Sequence, residues 1–362
     1  MFPQQIAALA DQVIAGEPIR RSQAEWLAGL EQPWLHDLFR GATRIREHFV
    51  GSAVRCCSIV SAKTGRCSED CGFCSQSAHF KTHVRGLTIL DPDQVVQAAM
   101  EAAASGADSF GIVNSGYGPT DQEIDHWGRV AQRIREKGLT RTCASMGILD
   151  GDQARRLARF GVQRYNHNLQ TSRRHFPNII KTHSYDERLG TLRHLKAAGV
   201  SVCSGALFGM GETWTDRLDL AFELRDLDVD VVPINFLIPI DGTPLEGSDP
   251  LEPMECLKII AVYRFCLPRQ EIKIAGGRER NLRDLQSWIF YAGADSFLIG
   301  NYLTTYGRPA EEDRQMVRDL GLVLEGYGDG AATVGGPQAH SATTGHRAAA
   351  RRIPLPVVAA VG

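Results

Sequence analysis

The chain has 362 residues, 43% of them hydrophobic, which suits a single large α/β barrel with a sizeable buried core. The formal net charge of −2 removes the electrostatic case for nucleic acid or an anionic membrane as the main partner. Nine cysteines, an odd number in a chain with a normal core, argue against a disulfide scaffold and for metal binding in a reducing compartment, the cytoplasm by default.

The N-terminus, MFPQQIAALADQ, lacks a basic segment followed by an apolar core, so no secretory signal is expected. No later stretch is apolar for long enough to span a bilayer. Ile6, Leu9 and Val13 recur at helical spacing, as do Trp26, Leu27 and Leu30, so residues 1–50 read as a helical extension. Short apolar runs then alternate with amphipathic segments. Strands are predicted near 54–60, 108–114, 139–145, 162–168, 200–207, 230–237, 271–275 and 295–299. Helices are predicted over 92–105, 121–136, 151–160, 185–198, 214–227, 253–267, 281–292 and 310–320. Glycine punctuates many junctions between them, as in SGAD, KGLT, RFGV, AAGV and AGAD. This alternation predicts a TIM-type (β/α)8 barrel over 51–325, with a doubly wound open sheet as the structural alternative. From about Asp329 the chain is rich in Ala, Gly, Thr and His without periodicity, so 326–362 reads as a disordered tail.

The strongest chemical signal is Cys67-Ser-Glu-Asp-Cys71-Gly-Phe-Cys74, a C-x3-C-x2-C cluster after the first strand. That loop lies at the end of a barrel where active sites gather. Soft thiolates select iron–sulfur clusters, zinc or copper(I). A [4Fe–4S] cubane usually takes four cysteines, so three leave one iron open to a small molecule. A structural zinc site completed by His79 or His83 is the bland alternative, although zinc sites usually use two separated ligand pairs.

The C-x3-C-x-aromatic-C spacing, with Phe73 at the aromatic position, resembles the signature of the radical S-adenosylmethionine (SAM) superfamily. A longer resemblance, over about residues 40–325, is to the biotin synthase family. AKTGRCSEDCGFCSQSAHF, YNHNLQTS, VCSGALFGMGE, VPINFLIPIDGTPL, GGRE and AGADSFLIGNYLTT carry it in one order. The resemblance implies a sulfurtransferase that converts dethiobiotin to biotin. It implies a [4Fe–4S] cluster that cleaves SAM and an auxiliary cluster, [2Fe–2S] in the family, that donates sulfur. It also implies an electron donor such as flavodoxin or ferredoxin, and a homodimer. Asn168 would touch the cofactor ribose and the substrate ureido group, and Asn235 the ureido group again. Arg188 would approach the SAM carboxylate, for which a guanidinium fork is suited. Gly209, Gly211 and Glu212 form a turn whose glycines would allow backbone to approach the cofactor.

The sequence departs from the family at the auxiliary cluster. Three cysteines and one arginine hold it there; here Cys143 and Cys203 match, while Gly111 and Lys273 replace the other two. Protonated lysine has no lone pair and is a poor substitute ligand. Gln170 stands where an acidic ribose contact is expected, and an uncharged amide bonds a hydroxyl more weakly. Alternation along the first strand sends Cys56 and Cys57 to opposite faces, and Cys57 is assigned inward. Cys57, Cys143 and Cys203 are therefore expected to hold a remodelled auxiliary cluster; as free thiols they would be small buried hydrophobes. Cys56, Cys256, Cys266 and His167 are assigned to packing, and Arg278 to the active end of strand seven or to a salt bridge. Two other functions stay open. One is radical chemistry on another substrate without sulfur insertion; the other is a non-enzymatic, zinc-stabilised binding barrel.

Overall fold

The computed structural model describes residues 2–326. The predicted tail, from residue 327 onward, lies outside the described residues. Three helices come first: α1 Phe2–Ile14, α2 Arg21–Ala28 and α3 Leu35–Phe49. The strands are β1 Ala53–Thr64, β2 Thr88–Ile89, β3 Ser109–Asn114, β4 Arg141–Ser145, β5 Arg164–Asn166, β6 Ser201–Cys203, β7 Ala206–Phe208, β8 Val231–Phe236, β9 Glu271–Ile274, β10 Ser296–Leu298 and β11 Val323–Leu324. Between them run α4 Pro92–Ala104, α5 Asp121–Lys137, α6 Gly151–Arg159, α7 Phe176–Ile179, α8 Tyr185–Ala197, α9 Trp214–Asp226, α10 Pro253–Cys266, α11 Arg278–Leu282, α12 Trp288–Tyr291 and α13 Ala310–Asp319.

The pairing order β10-β9-β8-β6-β5-β4-β3-β1 closes through a β10–β1 ladder, so the sheet is a barrel and the open doubly wound alternative is excluded. β7 occupies the same barrel position as β6: Cys203 pairs with Val231, and Ala206 resumes the pairing at Ile234. The break falls at Gly205, where an added Cβ would lie 2.0 Å from the Pro233 carbonyl oxygen. Only glycine lets the two backbones approach so closely. β2 runs antiparallel to the end of β1, and β11 parallel to its start.

The helices start where their sequences dictate. Asp91, Thr120, Asp150, Ser184 and Thr213 each open a capping box ahead of α4, α5, α6, α8 and α9. Gly138 ends α5 with φ +66°, a left-handed cap that avoids a Cβ clash. The helix predicted over 281–292 is instead α11, a 3₁₀ turn at 283–285 and α12. Asn281 is fully buried; it donates to the Leu237 and Gly277 carbonyls and accepts from Leu251 N, which ties this stretch to the loop after β8. Arg283 then takes φ +50° and breaks the helix.

Of the N-terminal helices, α2 and α3 pack on the outside of the barrel against α10, and α1 packs on α3. Gly41 of α3 sits so close to α10 that an added Cβ would lie 2.7 Å from Phe265 Cζ. Within α10, Arg264 is fully buried, with Nη2 2.5 Å from Asp295 Oδ1 and Nε 2.7 Å from the Gly293 carbonyl. No helix among the described residues is long and apolar enough to cross a membrane.

Candidate active site

The loop after β1 folds back on itself: Cys67 N donates to Gln76 O at 2.9 Å, Ala78 N to Cys67 O at 2.8 Å, and Cys74 N to Cys71 O at 2.9 Å. It is also tied to the α7–α8 segment. Gly72 N donates to Ile179 O, and Asp70 accepts from Lys181 N and Thr182 N. Cys67, Cys71 and Cys74 all line one cavity of about 420 Å³ inside the barrel mouth. Burial pushes their thiols up, Cys71 to about 12 and Cys74 to about 11.

His79 and His83 do not line the cavity; His79 Nε2 instead lies 2.9 Å from Ser68 O. Among the described residues no three His, Cys, Asp or Glu side chains close on one point as a mononuclear site requires. His79 and His83, the fourth ligands expected for a zinc site, are therefore not placed to complete one. A cubane spreads its cysteines over separate irons, and three thiols around an open cavity fit that group.

Arg188 reaches this cavity from α8. Nη1 donates to Asn168 O at 2.6 Å and Nε to His183 Nε2 at 3.0 Å. His183 Nδ1 lies 2.5 Å from Glu69 Oε2. Burial and the adjacent Arg188 lower the His183 pKa, so the neutral ring donates from Nδ1 and accepts at Nε2. Glu69, His183 and Arg188 thus form a chain from the cysteine loop to the arginine. The sequence reading missed Glu69 and His183, although Glu69 stands inside the motif itself.

Asn168 and Gln170 lie at the end of β5. Asn168 Oδ1 accepts from Gly205 N and from Asn166 Nδ2, and Gln170 adopts φ +73°. Asn235 spends Nδ2 on Ala206 O and Oδ1 on Gly276 N, bridging β7 to the loop after β9. All three line the cavity, as does His167. Gly209, Gly211 and Glu212 do not. The two glycines have φ +95° and +85°, and the Glu212 carboxylate accepts from Gly209 N, Met210 N and Arg217 Nε. That carboxylate is spent on its own turn.

Deeper in the barrel, Cys57, Cys143 and Cys203 line the same cavity, and Cys56 does not. Cys143 pairs with Arg164 in the ladder and shares the cavity wall with Cys57, Cys203 and Lys273, all within electrostatic reach of its thiol. Burial pushes Cys143 up to about 12, with Arg164 opposing. Burial disfavours the charge on Lys273, but Cys203, Cys57 and Glu271 outweigh it and keep the ammonium. Gly111 stands beside Cys143 in the ladder, and the space next to it is taken by Ile59, whose Cγ2 would lie 3.2 Å from an added Cβ. Three soft thiols beside two cations and no carboxylate on the cavity wall at this level fit a polynuclear iron–sulfur group. Arg164, which the sequence reading did not single out, enters this layer from β5. Cys256 and Cys266 are core residues of α10, and Arg278 pairs with Asp313 at 2.5 Å.

A (β/α)8 barrel with a three-thiol loop at its mouth and an arginine beside it defines the class of radical SAM barrels. Residues 62–224 match the Radical SAM superfamily model, and residues 233–323 match the Biotin and Thiamin Synthesis associated domain. The crystal structure of methylornithine synthase superposes with a TM-score of 0.78 at 20% identity, covering 88% of this chain and 97% of that one. The chain is 48% identical to biotin synthase of Geobacter sulfurreducens over 88% of its own length and 97% of that protein. It is 52% identical to biotin synthase of Heliobacterium modesticaldum over 86% and 95%. The chain belongs to the biotin synthase family.

Proposed function

We infer that this chain inserts sulfur into dethiobiotin to make biotin. The observation that carries the reading is one cavity with three thiols at its mouth and three more on its strands. When bound, the mouth cluster supplies the electron that splits SAM into methionine and a hydrogen-abstracting carbon radical, and the deeper cluster supplies sulfur. The chain's own residues bind, orient and exclude. Cys67, Cys71 and Cys74 would hold the first cluster and leave one iron open. Arg188, with Nε and Nη1 already committed, has Nη2 for an incoming carboxylate. His183 and Glu69 hold that fork in place. Asn168 and Gln170 offer amides for ribose hydroxyls, and Asn168 and Asn235 for the ureido group. Closed barrel walls keep water from a radical that would otherwise attack any nearby C–H bond.

Cys57, Cys143 and Cys203 would hold the auxiliary cluster, with Lys273 as counter-charge. The Gly209–Glu212 turn, off the cavity wall, supports the cofactor pocket only through the backbone of β7. The extension over 1–50 and the barrel over 51–325 act as one catalytic unit. A flavodoxin or ferredoxin donor and a homodimer complete the reading. A cytoplasmic setting suits nine cysteines that are all free.

Anaerobic reconstitution with iron and sulfide, followed by SAM, dethiobiotin and a reductant, tests it. Biotin together with 5′-deoxyadenosine is expected. Deoxyadenosine without biotin would move the chain to radical chemistry lacking sulfur transfer. Neither product would remove the class.

A further inference from the structure

Arg164 has no task in the reaction as described above. It opens β5 beside Cys143 in the ladder, and its side chain crosses the barrel floor to Glu271 on β9, with Nη2 3.3 Å from Oε2. The residue is 7% exposed, and Nε and Nη1 have no hydrogen-bond partner. Buried donors left unmatched are costly and call for an explanation.

Arg264 shows how this chain satisfies a purely structural arginine. Its Nε and Nη1 donate to backbone carbonyls of Gly293, Leu267, Pro268 and Gln270, and Nη2 to Asp295. Arg164 makes one long contact and keeps two nitrogens open. Unmatched nitrogens alone do not mark a site, since Arg46 on α3 carries the same pair away from the cavity. Arg164 differs in lining the cavity among Cys57, Cys143, Cys203 and Lys273. Three thiolates there would carry three negative charges. Arg164 and Lys273 bring two positive charges, and Glu271, behind the wall, returns one negative. Without Arg164 the layer would have no surplus of positive charge to offset the thiolates.

We propose that Arg164 seats the auxiliary cluster, donating hydrogen bonds from Nε and Nη1 to its sulfur atoms and offsetting the thiolate charge. This rests on the auxiliary-site reading above. It gives the layer a cation on β5 where the family's arginine, on β9, is replaced by Lys273. Arg164 acts on the cluster and not on dethiobiotin, so it positions and tunes the sulfur donor.

The test uses the full chain with Cys67→Ala, Cys71→Ala and Cys74→Ala, so that only the deeper site can load. After anaerobic reconstitution, iron and sulfide content, absorption and EPR spectra, the reduction potential and the rate of iron loss to a chelator are measured. Arg164→Met is expected to lower the potential and to speed iron loss about tenfold, as the loss of a charge-assisted hydrogen bond implies. Arg164→Lys should restore the potential better than the slow iron loss, because it keeps the charge and not the fork. Glu271→Gln should shift the potential the opposite way, to more positive values. A merely structural ion pair would lower loading alike in Arg164→Met and Glu271→Gln and leave the potential and spectra of the remaining cluster unchanged; that result overturns the proposal. Should Arg164→Met not fold, the lysine and Glu271→Gln variants still decide it. If the parent variant takes up no iron and sulfide, the auxiliary-site reading falls first, and the role of Arg164 with it.

Discussion

Gly111→Cys puts a thiol back where the family has one. Ile59, Gly111 and Cys143 stand side by side on β1, β3 and β4. An added Cβ would lie 3.2 Å from Ile59 Cγ2 and 3.9 Å from Cys143 Cβ. The first contact is slightly tight, so the Ile59 methyl must yield by a fraction of an ångström. Such overpacking costs about 1–3 kcal/mol. A typical domain has about 5–15 kcal/mol to lose, so the variant should fold. The second distance falls within the separation of about 3.5–4.5 Å that a disulfide needs. Air oxidation of the cluster-free variant should therefore join position 111 to Cys143. Peptide mapping by mass spectrometry would find the link, and thiol titration would count two fewer thiols. Under anaerobic reconstitution, together with Lys273→Arg, the auxiliary cluster should take on a [2Fe–2S] absorption spectrum. An introduced thiol that stays free under oxidation, with Cys143 free beside it, would refute the register argued for these strands.

Gly205→Ala should be far less tolerable, because its Cβ would meet the Pro233 backbone oxygen at 2.0 Å, and neither a Cβ nor a strand carbonyl can swing aside. A loss of about 3 kcal/mol or more is expected in urea unfolding, and an unchanged midpoint would contradict the close approach. Arg264→Leu leaves Asp295 buried and unpaired, at a cost of about 3–5 kcal/mol. Burial already raises Asp295 to about 6 even with Arg264 opposing. A carboxyl raised in the folded state favours folding while protonated, so its contribution is lost as pH rises through about 6. Without Arg264 that loss should deepen and move to higher pH; denaturant midpoints measured across the range would follow the unaltered protein's profile if the pair is unimportant. Arg188→Lys keeps the charge but cannot serve Asn168 O, His183 and a carboxylate together. SAM binding should weaken about tenfold by equilibrium titration, and an unaltered affinity would remove Arg188 from the cofactor site.

The barrel was legible in residue order because its signals are local. Short apolar runs alternate with amphipathic segments, and Asp91, Thr120, Asp150, Ser184 and Thr213 stand at helix starts and cap them through their own side chains. The cysteine loop was legible for the same reason, since its three thiols lie within eight residues. The stretch 281–292 misled, because its helical period is overridden by Asn281, whose hydrogen bonds run to residues distant in the chain. Barrel closure itself was beyond local signals: the β10–β1 ladder joins segments more than two hundred residues apart. The same holds for the Arg164–Glu271 contact, the His183–Glu69 pair and the filling of the Gly111 gap by Ile59. Side-chain type and spacing along a strand say which face a residue takes. Which other residue it meets across the barrel depends on how many strands close the sheet and with what stagger, and those are properties of the folded chain alone.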